Sequence, residues 1–200
     1  MNGSQLDLFG SGPSLPAGFR YQPGLVSPGE ERRLIERFTE MPFQEFEFRG
    51  YVGRRRTVSF GWEYDFSTEQ VRPAQDIPDF MLPLREQAAS LAGLAASDLP
   101  HALVTEYQAG AAIGWHKDKG VFGDVVGISL LAPCVFRLRR RTGATWERAS
   151  VTAEPRSAYI LRGSARVEWE HSIPAVESLR YSVTFRTLPT DMRSDQAVRS

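Results

Sequence analysis

Six short runs of β-forming residues crowd the second half of the chain: ALVTEY (102–107), VVGISLL (125–131), CVFRLRR (134–140), ASVTA (149–153), SAYILR (157–162) and RYSVTFR (180–186). Turn residues separate them and no helical period runs through them. This half must therefore close into an all-β sandwich or barrel. The first half reads differently. Ser27 is a good N-cap, Pro28 takes the first helical position and Glu30 completes a capping box. Leu34, Ile35, Phe38 and Met41 then share one face, so a helix is expected to about Met41, ended by Pro42. A second helix is expected over 80–95, where Leu84, Ala88, Leu91, Ala92 and Ala95 fall at helical spacing and Pro83 is tolerated in the first turn. Between them, FEFRGYVGRRRTVSFGWEYDF (46–66) alternates as one or two strands with mobile connections.

Two hundred residues suit one domain with one sizeable core. Residues 1–18 (ending GSGPSLPAG) read as a flexible lead, 19–190 as the domain and 191–200 as a fraying polar tail. No apolar run is long enough for a membrane helix, and the N-terminus lacks the basic-then-apolar order of a secretory signal. The lone cysteine, Cys134, excludes an internal disulfide framework and fits a reducing compartment, so a cytoplasmic protein is expected.

Lys plus Arg and Asp plus Glu each number 24, so any attraction for nucleic acid must come from local clusters. Two are present: Arg54-Arg55-Arg56, and Arg137 with Arg139-Arg140-Arg141. Arginine forks suit phosphate or carboxylate, but such runs also arise as solvated strand edges.

The chain has three histidines, His101, His116 and His171. His116 and Asp118 form an H-x-D pair, and in an extended segment residues two apart point to the same side. Imidazole and carboxylate can then converge on a cation, and His171, before a proline turn, is placed to supply a third ligand. Two histidines and one carboxylate leave open positions for cosubstrate and dioxygen, as in non-haem Fe(II) oxygenases. The pair alone is short enough to arise by chance. His101, at a strand start after Pro100, is assigned to structure. In RYSVTFR, Arg180, Ser182, Thr184 and Arg186 share one face. Four polar groups on a core-like strand are costly unless they meet an anion or each other, and a bound dicarboxylate would satisfy them. An arginine-rich outer face of an edge strand is the other reading.

Together these elements resemble the AlkB family of 2-oxoglutarate- and Fe(II)-dependent dioxygenases, whose H-x-D, distal His and R-x5-R correspond to His116, Asp118, His171, Arg180 and Arg186. Tyr107 and Gly110 match its Y-x-x-G, and the resemblance covers residues 102–188 firmly and the region from Phe19 more loosely. The resemblance implies an α+β fold: a double-stranded β-helix (jelly-roll) core over 102–188, with N-terminal helices packed on one sheet and a substrate lid over about 43–78. It implies Fe(II) held by His116, Asp118 and His171, with 2-oxoglutarate and O2 as cosubstrates. Arg180 would pair with the distal carboxylate, Tyr107 would hydrogen-bond the cosubstrate, and Arg186 would support cosubstrate or Asp118. Thr105 stands where the family usually has asparagine and would offer its hydroxyl to the cosubstrate in that residue's place. The implied activity is oxidative removal of N-alkyl groups from bases of nucleic acid, single-stranded or locally opened DNA in a repair role. A dioxygenase acting on RNA or protein, or a non-catalytic jelly-roll binding module, are the alternatives. In the lid, Arg54, Arg55 and Arg56 would meet phosphates, and Phe60, Trp62 or Tyr64 would stack on a base or else pack in the core; Trp115 has the same two readings. Arg137, Arg139, Arg140 and Arg141 would extend the backbone-binding surface. Finally, Gln5-Leu6-Asp7-Leu8-Phe9 resembles the pentapeptide by which bacterial repair proteins dock on the sliding clamp. The chain is otherwise expected to act as a monomer.

Overall fold

The computed structural model describes residues 15–48, 51–65, 68 and 70–189, with backbone alone at 46–48 and 51–53. The pentapeptide at Gln5–Phe9 and the 191–200 tail lie outside the described residues.

The chain enters through β1 (Phe19–Gln22) and turns into α1 (Pro28–Phe38). The capping box forms: the Glu30 N–H donates to Ser27 Oγ at 3.2 Å, and the Ser27 N–H donates to Glu30 Oε2 at 3.1 Å. The helix stops at Phe38 rather than Met41 because its last turn tightens. The Glu40 and Met41 N–H groups reach back only three residues, to Arg37 and Phe38, and the Thr39 hydroxyl takes the Glu36 carbonyl. Next come β2 (Gln44–Phe48), β3 (Tyr51–Phe60), β4 (Trp62–Asp65) and β5 (Gln70–Pro73). The second helix, α2 (Leu82–Ala92), is shorter than the expected 80–95, since Asp79–Met81 is a 3-10 turn and Gly93 ends it with φ at +67°.

The rest is β6 (His101–Tyr107), β7 (Ile113–His116), β8 (Val125–Leu130), β9 (Cys134–Thr142), β10 (Thr145–Ala153), β11 (Ser157–Leu161), the short helix α3 (Gly163–Val167), β12 (Glu170–Ile173) and β13 (Arg180–Arg186). They form two antiparallel sheets. The larger runs β1-β11-β8-β13-β6-β3-β2 and the smaller β10-β9-β12-β7. From β6 to β13 the chain passes back and forth between them, which is the winding of a jelly roll. The fold is therefore the expected double-stranded β-helix, and β1 to β3 widen its larger sheet.

The alternation of β13 decides what lies on each side of that sheet. Tyr181, Val183 and Phe185 join Leu34 and Phe38 of α1 and Leu84, Ala88 and Ala92 of α2 in the outer core, so both helices pack on the larger sheet. Inside, Phe136, Leu138, Tyr159, Leu161 and Ile173 fill the space between the sheets. Gly61, at φ +72°, makes the sharp turn from β3 to β4; a Cβ there would fall 1.9 Å from the Pro100 carbonyl oxygen. Among the described residues no helix is long and apolar enough to cross a membrane.

Candidate active site

The strand register brings the polar residues of the jelly roll into its lumen. In the β13–β6 ladder, Arg180 faces Tyr107, Ser182 faces Thr105, Thr184 faces Leu103 and Arg186 faces His101. Across the lumen, β12 pairs His171 with His116 of β7, their ring centroids 4.2 Å apart. Asp118 follows β7 and places Oδ2 3.8 Å from His171 Nε2. One ligand atom from each of His116, Asp118 and His171 lies within 4.8 Å of the others, a spacing one cation can bridge.

The surroundings fix these groups in metal-binding form. His116 Nδ1 lies 2.9 Å from the Gly114 carbonyl oxygen, which can only accept, so Nδ1 is the donor and Nε2 is the nitrogen left to ligate. Asp118 Oδ1 accepts from Arg186 Nη2 at 3.0 Å. Burial raises the Asp118 pKa, but Arg186, then His171, Arg166 and His116, hold it well below the usual carboxylate range. Burial takes His171 down to about 4 against the upward pull of Asp118, so the imidazole is neutral at pH 7. His101, 2 % exposed, sits against Phe122 with its Nδ1 3.5 Å from Arg186 Nη1, and burial lowers its pKa far enough to keep it neutral as well. Its part is to back Arg186.

A second demand comes from Arg180, which is 1 % exposed. Its Nε and Nη2 donate to Ser129 Oγ at 3.3 and 3.1 Å, and its guanidinium lies 4.7 Å from the Tyr107 ring centre. Its Nη1 has no hydrogen-bond partner, and no carboxylate of the described residues pairs with it. A buried charge left this way is strongly destabilising, so the lumen is built to receive an anion. Both tests favour the resemblance: the donor set suits iron, and the orphaned guanidinium suits a dicarboxylate.

Two contributors have no motif in the sequence. Tyr159 of β11 is buried, and its hydroxyl pKa is raised by burial and then by the nearby Tyr107. The ring lies against its cross-strand partner Gly127, where a Cβ would fall 2.2 Å from it. Arg166 of α3 is buried and clamps the loop after the H-x-D: Nε donates to the Gly123 carbonyl at 2.8 Å, and Nη2 to those of Lys119 and Phe122 at 2.7 Å each. Only the parity of SAYILR points to Tyr159. Nothing local marks Arg166.

Several expected substrate residues sit elsewhere. Phe60 is 4 % exposed within the outer core, and Trp62, 6 % exposed, packs with Phe122 and Leu188; both are core residues rather than exposed stacking surfaces. Tyr64 is half-buried beneath Lys119, whose Nζ lies 5.0 Å from the ring centre. The three consecutive arginines do not form one cluster. Strand alternation sets Arg55, paired with Tyr107, on the lumen side, and Arg56, paired with Glu106, on the helix side, where a 2.8 Å ion pair to Glu106 neutralises it. Exposed Arg54 lies near Gly110. Trp115 points away from His116, onto the outer face of the smaller sheet between Arg137 and Arg139. Thr105 is buried in the lumen beside Ser182.

A jelly roll enclosing two histidines, a carboxylate and an unmatched buried guanidinium defines a metal-dependent oxygenase site. The chain belongs to the 2OG-Fe(II) oxygenase superfamily, whose sequence profile matches residues 18–186. Fe(II), 2-oxoglutarate and O2 are accordingly its cofactor and cosubstrates. It is 28% identical to an Arabidopsis thaliana protein named "Alkylated DNA repair protein ALKBH8 homolog", over 76% of this chain and 49% of that one. It is 26% identical to the Xenopus tropicalis "tRNA (carboxymethyluridine(34)-5-O)-methyltransferase alkbh8", over 80% of this chain and 26% of that one. The chain thus spans half or less of these curated relatives. The solved structure of OsALKBH1 shares the fold, with a TM-score of 0.69 at 16% identity, covering 87% of this chain and 98% of that one.

Proposed function

We propose that this protein removes N-linked alkyl groups from bases in nucleic acid by oxidation, with alkylated DNA as substrate. The observation that carries the chemistry is Arg180, a buried guanidinium with an unsatisfied Nη1 in the same lumen as the triad. His116, Asp118 and His171 would hold the iron, and Arg180 would take the distal carboxylate of 2-oxoglutarate beside the Tyr107 hydroxyl. Bound there, iron with 2-oxoglutarate and dioxygen supplies the oxidation of an N-alkyl carbon, 2-oxoglutarate leaving as succinate and carbon dioxide and the alkyl group as an aldehyde.

The chain's own residues prepare that chemistry. Arg186 occupies Asp118 Oδ1, which leaves Oδ2, on the His171 side, to ligate. Phe136 lies 5.2 Å from the His171 ring and 4.4 Å from Tyr159, an aromatic wall that keeps water from the ligands. Arg166 holds the Asp118 loop so that the carboxylate does not swing out. Exposed Arg54, with Arg55, Tyr64 and Lys119, would contribute to meeting a substrate strand.

The substrate reading is supported by the repair name of the Arabidopsis relative; the tRNA name of the Xenopus relative favours RNA as the second reading. Formaldehyde release from N-methylated single-stranded DNA and RNA, with Fe(II) and 2-oxoglutarate, separates them. Turnover faster on DNA and abolished in His116→Ala is expected; turnover on RNA alone moves the assignment. The pentapeptide Gln5–Phe9 would bring the enzyme to the replication clamp. A pull-down with purified clamp should lose binding in Leu8→Ala/Phe9→Ala, and equal retention removes that role.

A further inference from the structure

The outer face of the smaller sheet carries a second pattern, on the side away from the metal ligands. On β9, residues alternate: Phe136 and Leu138 point into the lumen, while Arg137, Arg139 and Arg141 point out. The register sets Arg148 beside Arg139 and Trp146 beside Arg141 from β10, and Glu170 and Ser172 beside Arg139 and Arg137 from β12. These side chains interleave. The Arg137 and Arg139 guanidiniums lie 5.1 and 4.4 Å from the Trp115 ring centre, and Arg139 lies 4.3 Å from that of Trp146. Trp146 is 37% exposed.

Charge on this face is one-sided. Arg139 pairs with Glu170 at 2.6 Å. Arg137 donates to Ser172 Oγ and Arg141 to the Gly143 carbonyl, and neither of them, nor Arg148, has a carboxylate partner among the described residues. The chain as a whole is neutral, so this is a local concentration of cations, in a row about 13 Å long along β9. Arg140, in the same sequence run, does not belong to it. Its side chain turns to the opposite face and is held by Glu147 and Glu168.

We propose that this face is a docking platform for the backbone of a single-stranded nucleic acid, binding the strand that flanks the nucleotide in the lumen. Phosphates meet the unpaired guanidiniums, and a base stacks on Trp146. The rings already hold Arg137 and Arg139 in place, so less side-chain freedom is lost when phosphate binds. An acidic peptide would satisfy the arginines but offers nothing to the exposed indole, whereas a nucleic acid strand supplies anions and π-faces in alternation. His116 and Trp115 are neighbours on β7 with opposite outlooks, so the platform backs directly onto the site. This inference deepens the proposed function, yet its test uses unmodified strands and needs no turnover.

The measurement is fluorescence anisotropy of labelled dT20 and dT3 with the full chain between 50 and 200 mM KCl. Arg137→Gln/Arg141→Gln/Arg148→Gln should weaken dT20 binding at least tenfold at 100 mM. Its log K against log salt should become shallower by about 2, at ~0.7 for each phosphate no longer neutralised. For dT3, which offers too few phosphates to engage the whole row, the difference between the two proteins should be smaller than for dT20. The corresponding triple lysine variant should keep the salt slope, and Trp146→Ala should weaken dT20 by about tenfold while leaving the slope unchanged. Wild-type affinity and slope in the glutamine variant overturn the platform, as does poly-glutamate competing as well as dT20. Absence of turnover on alkylated strands, with dT20 binding as described, would instead remove the dealkylation reading and leave the platform standing.

Discussion

Arg180 illustrates how one side chain can report an absent partner. Its stack on Tyr107 and its two hydrogen bonds to Ser129 leave Nη1 unsatisfied, and one hydroxyl does not neutralise a buried guanidinium. With the site loaded with Mn(II), calorimetry should show Arg180→Gln weakening 2-oxoglutarate by about 30- to several-thousand-fold, the 2–5 kcal/mol typical of removing one partner of a buried charge pair. An affinity within threefold of wild type would show that the guanidinium does not bind the cosubstrate. On the outer side of the same strand, Tyr181 donates to Glu106 Oε2 at 3.0 Å. Burial first, then the hydrogen bond to Glu106, pushes its pKa up to about 12. A raised pKa means that the unfolded chain releases this proton first, near the ordinary value of about 10. The stabilisation is therefore complete below pH 10 and is lost as the pH rises to 12. Urea midpoints should fall more steeply for wild type than for Tyr181→Phe between pH 9.5 and 11, and parallel curves would remove the linkage.

Elements were legible in proportion to how regular their residues are. The capping box before α1 and the alternation of RYSVTFR name their structures, because a cap and a period of two act locally. The strands that carry the histidines, Ile113–His116 and Glu170–Ile173, are four residues each and show no pattern of their own; the sheet selects them by pairing with β9 and with each other. Likewise the arginine runs looked contiguous in sequence, yet strand parity sends alternate guanidiniums to opposite faces. Phe60 and Trp62 could stack or pack on composition alone, and the Gly61 turn decided for packing. α3 is the least legible element and among the most consequential. A five-residue helix has little stability of its own, but it delivers Arg166 to the carbonyls of the loop that carries Asp118. Arg166→Met should therefore weaken Mn(II) binding by roughly 10–100-fold, as loss of outer-shell support does elsewhere. Electron paramagnetic resonance titration of free Mn(II) reads this directly. Wild-type affinity would mean that the loop holds its shape without the clamp.

At the scale of the whole molecule, the fold keeps two unlike faces apart with one sheet. The helices cover the larger sheet, whose inner face is charged and partly unmatched, while the smaller sheet holds histidines inside and arginines outside. A lumen that sets partly buried Asp118 beside buried His171, Arg180 and Arg186 is incomplete without its ligands, so stability and ligation must be linked. Metal binds the folded chain alone, because the three ligands converge only through β7 and β12. At free metal a hundredfold above Kd this adds about 2.7 kcal/mol. For a domain of this size each kcal/mol moves Tm by roughly 2–4 °C, so Mn(II) should raise the melting temperature by about 5–10 °C. 2-Oxoglutarate should add a further rise that requires Arg180, since its carboxylate removes the uncompensated charge. The metal-dependent rise should vanish with a chelator and in His171→Ala. An Arg180→Gln chain should melt higher than wild type when both are free of ligands, because it no longer buries an unmatched cation. Differential scanning calorimetry on the four combinations of metal and cosubstrate distinguishes these contributions. A wild-type chain whose melting point ignores both ligands would show that the lumen is already satisfied and that the site does not form as described.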